Sequence, residues 1–165
     1  MVQVYGDGAM NEVLNHYSSL NTNNLIFSKP LPKEEIFQEF AECTYSIISF
    51  NDLPEMRKNS SNKFFDSLAS STPVIINFGG WIHEIVEEYE LGYSSWRKDL
   101  DQFCKMIVSD LRDEDKYIIK AKKCRIIADK NFSKEIACKK FNKVVTRTLS
   151  NNFEIKDIAD GNIIS

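Results

Sequence analysis

The segment Thr72–Gly92 frames everything around it. Thr72 is a residue type that caps helices, and Pro73 suits a first helical position, where its missing N–H has no partner to lose. Val74, Ile75, Ile76, Phe78, Trp81 and Ile82 follow, and Gly92 offers a stop. Read as one helix over 73–91, the first half is apolar on every side. Such a helix belongs at the centre of a bundle. Gly79-Gly80 inside it would cost about 1 kcal/mol per glycine relative to alanine. Retaining both predicts a second helix crossing closely at that point.

The remaining periodicity is helical as well. Met10, Val13, Leu14, Tyr17 and Leu20 fall at helical spacing, and 21–32 reads as a loop ending in two prolines. Ile36, Phe37, Phe40, Ala41, Thr44, Ile47 and Ile48 form one apolar face of a helix that Pro32 can start. A weaker helix over 54–69 turns Met56, Phe64, Phe65 and Leu68 inward, with loop-like residues at 58–62. Ser94 or Ser95 caps a helix whose stripe runs Trp96, Leu100, Phe103, Cys104, Ile107, Val108, Leu111. Residues 116–128 fit a helix or short strands equally. Ser133 caps a last helix with Ala137, Phe141, Val144 and Thr148 on one face.

A chain of 165 residues, 42% hydrophobic and 27% charged, has the length and material for one self-sufficient core. The expected fold is therefore all-α: a single domain over 1–165, with six or seven helices around the central one and a loosely packed tail at 151–165. No apolar run approaches the roughly 18 residues of a membrane span. The first residues lack a charged and then apolar leader, so a cytoplasmic protein with no membrane partner is expected. Cys43, Cys104, Cys124 and Cys138 have no paired spacing and read as reduced, buried thiols.

Charge divides the chain. Residues 1–115 carry 9 Lys+Arg and 19 Asp+Glu, a net of −10, while 116–148 carry 11 Lys+Arg against Asp129 and Glu135, a net of +9. An acidic body beside a basic stretch makes an electrostatic docking surface, either for a partner or between the two halves of the fold.

Few constellations carry chemistry. On a helix His83 and Glu87 lie one turn apart, a possible two-ligand metal clamp, but a zincin needs a second histidine where Glu87 stands. No metal and no cofactor are assigned. His16 sits at the edge of an apolar stripe. Asp160-Gly161-Asn162-Ile163 lacks the upstream oxygen ligands of a calcium loop, because Lys156 and Ile158 stand there. No nucleophile or phosphate-loop motif is present, and no enzyme is expected. Asn77-Phe78-Gly79-Gly80 superficially resembles the Asn-Trp-Gly-Arg motif of the Bcl-2 family, but Gly80 replaces the arginine that grips the partner helix. Four residues imply no membership.

Three functions follow as expectations. The first is a non-catalytic protein-binding domain of inhibitor or toxin-immunity type. It would meet a basic toxin or nuclease through Glu84, Glu87, Glu88, Glu90, Asp99 and Asp101. The second is a nucleic-acid-binding domain using Lys130, Lys134, Lys139, Lys143 and Arg147. The third is a metal-dependent enzyme centred on His83 and Glu87.

Overall fold

The computed structural model describes residues 1–20, 24–51 and 53–149, which fall into two units, Met1–Cys43 and Thr44–Ser165. In the first unit strand β1 (Val2–Tyr5) leads to helix α1 (Asn11–Leu20), strand β2 (Leu25–Ser28) and helix α2 (Lys33–Glu42). The strands are parallel, in register from Val2 opposite Leu25 to Tyr5 opposite Ser28. Helix α1 lies where its apolar spacing puts it. Helix α2 stops at Glu42, short of the Thr44, Ile47 and Ile48 that continue its stripe in the sequence, because the chain turns extended at Cys43 (φ −78°, ψ 141°).

The second unit begins with strand β3 (Ser46–Ile48), a 3-10 helix (Pro54–Lys58) and helix α3 (Asn62–Ala69). Strand β4 (Val74–Ile76), helix α4 (Trp81–Tyr89) and strand β5 (Gly92–Ser94) follow, and then helices α5 (Leu100–Asp110), α6 (Glu114–Asn131) and α7 (Lys134–Leu149). The sheet order is β3-β4-β5, every pair parallel, with Ser46, Val74 and Gly92 side by side.

The all-α expectation is therefore wrong: the fold is mixed α/β, with two small parallel sheets among the helices. The central helix over 73–91 is in fact a strand, a turn, a helix and the start of another strand. Val74 and Ile76 are fully buried, and parallel strands covered by helices read as unbroken apolar runs. Periodicity cannot separate a three-residue run of that kind from a buried helical turn. The β-branched content of Val74-Ile75-Ile76 favours the strand. The closely crossing helix expected at Gly79-Gly80 is not what those glycines accommodate. Gly92 does not end α4 either. Glu90 does, in the left-handed region (φ 55°, ψ 45°), and Gly92 is needed because a Cβ there would stand 1.9 Å from the Val74 carbonyl oxygen.

Residues 116–128 are helical, not strands. Asp113 caps α6 by accepting from the Lys116 N–H (3.1 Å), and Glu114 and Asp115 suit its positive end. Ser133 takes its expected place before α7, accepting from the Ile136 N–H at 3.4 Å. The core gathers Ile48, Val74 and Ile76 of the sheet with Phe64, Leu68, Ile82, Val86, Leu91 and Cys124. Helix α6 packs on α3, where Arg125 donates to the Ala69 carbonyl (3.0 Å). Of the cysteines only Cys124 is buried; Cys104 and Cys138 are exposed and Cys43 half-buried, so the expectation of buried thiols holds for one. Among the described residues no helix is long and apolar enough to cross a membrane. The tail at 151–165, with Asp160–Ile163, lies outside the described residues.

Candidate functional site at the carboxyl edge of the parallel sheet

Where β3, β4 and β5 end, three loops meet. Asn77 clasps two of them: its Oδ1 accepts from the Phe50 N–H (2.9 Å) and its Nδ2 donates to the Phe50 carbonyl (3.0 Å). The third is tied on by the Ser95 N–H, which donates to the Ile76 carbonyl at 2.8 Å. The Phe50 and Phe78 rings meet edge to face beneath, with centroids 4.8 Å apart.

The turn Gly79-Gly80 carries the chain from β4 into α4. A Cβ on Gly79 would lie 2.7 Å from the Trp96 indole, and one on Gly80 would lie 2.1 Å from the Arg57 carbonyl oxygen. Gly80 also has φ 103°, a backbone that side chains rarely adopt. The two glycines thus let Trp96 and the 3-10 segment close onto the amino end of α4. Trp81 seals that contact by donating its Nε1–H to the Asn59 carbonyl (3.1 Å). Asn59 lies just ahead of α3, so the amino ends of α3 and α4 are drawn together. Neither has a side-chain cap, and the first N–H groups of a helix have no partner within it.

Cationic and aromatic groups complete the edge. The Arg57 guanidinium lies 4.8 Å and that of Arg97 5.2 Å from the centroid of the Trp96 ring. Trp96 is half-buried and Arg97 exposed. Ser94, wholly buried, accepts from the Trp96 N–H (3.2 Å) and shares a hydrogen bond with His83 Nδ1 (2.9 Å). This arrangement favours a ligand with negative charge and a flat or apolar part. Helix amino ends and guanidinium groups hold an anion, and indole faces stack on rings.

The first unit repeats the topology on a smaller scale. The Gly6-Asp7-Gly8 turn follows β1, and a cleft of about 420 Å³ there is lined by Asp7, Asn11, Asn15, Ser28 and Lys29 among others. Asn11 braces the turn, accepting from the Gly8 N–H (2.9 Å) and donating to Asp7 (2.5 Å).

The residues singled out from sequence fall elsewhere. Glu84, Glu87 and Glu88 are exposed on α4, Glu90 at its end, and Asp99 and Asp101 at the start of α5. Several are engaged within the chain: Glu87 with Lys98 (3.0 Å), Glu90 with Lys123, and Asp99 as the cap that accepts from the Gln102 N–H (2.9 Å). Asp99 holds the place expected of Ser94 or Ser95. His83 and Glu87 do not converge, since one turns to Ser94 and the other to Lys98. Among the described residues no group of three His, Cys, Asp or Glu could hold a metal ion. The basic stretch splits. On α6, Lys116, Lys120 and Lys123 pair with Asp110 and Glu90. Lys130, at the end of α6, and Lys134, Lys139, Lys143 and Arg147 of α7 are exposed.

Sequence reasoning missed Arg57, Trp96 and Arg97. The available signal was a β-branched triplet running into Gly-Gly, which fits a strand-to-helix turn as well as a helix interior. The sequence matches no protein-family model and no curated protein.

Proposed function

We propose that the protein binds a nucleoside phosphate at the carboxyl edge of β3-β4-β5, with the phosphate at the amino ends of α3 and α4 and the base against the exposed Arg97 guanidinium that lies over Trp96. One observation carries this reading: Gly79 and Gly80 are small where Trp96 and the Arg57 carbonyl press in, bringing two uncapped helix starts and two guanidinium groups to one strand end. Open parallel sheets bind ligands outside the carboxyl ends of their strands, and helix starts there favour phosphate. The acidic set offers less to a basic protein partner, because Glu87, Glu90 and Asp99 are already engaged.

Trp81 and Trp96 are the chain's two tryptophans and both stand at this edge, so intrinsic fluorescence reads the site directly. Titration with ADP, GDP, UDP and CDP is expected to change the emission for at least one of them, with calorimetry giving the same affinity. Arg57→Ala is expected to weaken that affinity by about tenfold or more, the equivalent of about 1.4 kcal/mol, as for a lost charge-assisted hydrogen bond. Four nucleotides without effect by either method would remove the proposal.

A further inference from the structure

Among the described residues, helix α7 has an apolar face that is exposed. Phe141 is 68% exposed and Val144 52% exposed, and Ala137 and Thr148 of the same face are exposed as well. Ala137, Phe141, Val144 and Thr148 are spaced four, three and four apart, so they form one continuous seam. The Thr148 hydroxyl donates to the Val144 carbonyl within the helix (3.0 Å), so it asks for no outside partner. Lys140 and Lys143 are exposed along one side of the seam and Lys134 on the other, Lys139 lies on the opposite face, and Glu135 in the first turn is the helix's one acid.

We infer that α7 is a docking helix that lays this seam into an apolar groove rimmed by carboxylates on a partner protein. The partner's chemistry follows from the helix. An apolar row at i, i+4, i+7 and i+11 is the pattern with which a helix fills a groove. The lysines beside it demand negative charge at the rim. A second copy of α7 is a poor occupant, because its own lysines would meet these. A membrane surface is a poor one too. A helix lying in the lipid interface uses a broad face of large apolar residues, and this seam has one large residue between Ala, Val and Thr. A nucleic acid would engage the lysines and leave Phe141 and Val144 without a role.

Calcium-loaded calmodulin, with two apolar grooves rimmed by acids, is a suitable probe of this chemistry. Labelled calmodulin titrated with the full chain is expected to bind it in calcium and release it in chelator. Phe141→Glu and the double variant Lys140→Glu/Lys143→Glu should each weaken binding at least tenfold. All three residues are exposed, so unchanged thermal melting by circular dichroism and unchanged nucleotide titrations are expected alongside, which keeps this test separate from that of the sheet-edge site. Absence of calcium-dependent binding, or binding indifferent to Phe141, overturns the inference. So does tighter, Phe141-dependent binding to phosphatidylserine vesicles, or sedimentation as a dimer that Phe141→Glu dissolves.

Discussion

At the scale of single residues, the second unit depends on what is missing from three glycines. Gly79, Gly80 and Gly92 each admit a neighbour that a methyl group would strike, but the neighbours differ. At Gly80 the obstacle is the Arg57 backbone, which cannot swing aside, and the positive φ adds strain. Gly80→Ala is expected to cost about 3 kcal/mol or more in urea denaturation. Gly79→Ala meets the Trp96 side chain instead, and should cost less while shifting tryptophan emission. Arg97 shows the opposite case, a long side chain held in the left-handed region (φ 55°) beside Trp96. Non-glycine residues in that region cost about 1–2 kcal/mol, and such strain collects at functional sites. Arg97→Gly should therefore leave the melting temperature unchanged or slightly raised while weakening nucleotide binding. A fall in both would assign Arg97 a structural role only.

At the scale of elements, helices and strands were legible to different degrees, for a physical reason. Helices α1 and α7 each carry an apolar stripe at helical spacing, although Val13, Tyr17 and Leu20 of α1 and Phe141 and Val144 of α7 are exposed. Both could be placed from spacing. Helix α6 could not be told from strands, because its apolar residues spread around it. Its start is nonetheless written in the chain, as Asp113 followed by two more acids. Asp113→Ala should lower stability by about 1 kcal/mol through loss of the cap, measurable as a drop in denaturation midpoint with an unchanged slope. Strands β3, β4 and β5 are three residues each, and Ile48, Val74 and Ile76 within them are buried. A strand that short leaves no alternation to count, so Ile47-Ile48 was absorbed into α2 and Val74-Ile75-Ile76 into a central helix.

At the scale of the second unit, the charge division resolves into contacts. Asp110 accepts from the Tyr93 hydroxyl (2.5 Å) and from Lys116 Nζ (3.2 Å), with Lys120 Nζ at 3.6 Å, tying β5, α5 and α6 together. The Tyr93 bond, then Lys116 and Lys120, hold the Asp110 carboxyl below its ordinary value of 3.8. A carboxyl that releases its proton more readily when folded stabilises the fold above that ordinary value. The contribution disappears as pH falls through the lowered, folded-state value. Tyr93 is pushed well above its ordinary 10.0, first by burial and then by its bond to Asp110. Its contribution is complete below pH 10 and is lost as pH rises toward the raised, folded-state value. Denaturation midpoints against pH should therefore fall at both ends. Asp110→Asn should flatten the acid limb, and an unaltered acid limb in that variant would remove Asp110 from the account.

The chain alone carries the amphipathic helices, the breaks between them, the division of charge and the absence of a motif for metal or nucleophilic chemistry. These are local properties, set by side-chain spacing, capping oxygens and composition. The parallel sheets, the turn at Gly79-Gly80 and the meeting of Arg57, Trp96 and Arg97 were decided by tertiary structure. Ser46, Val74 and Gly92 are distant in sequence and become neighbours only when strands pair. The meaning of a glycine rests on which atom presses against it, and no spacing rule states that. The same holds for the basic stretch, where Lys116, Lys120 and Lys123 of α6 found acids within the fold while the lysines of α7 stayed in solvent.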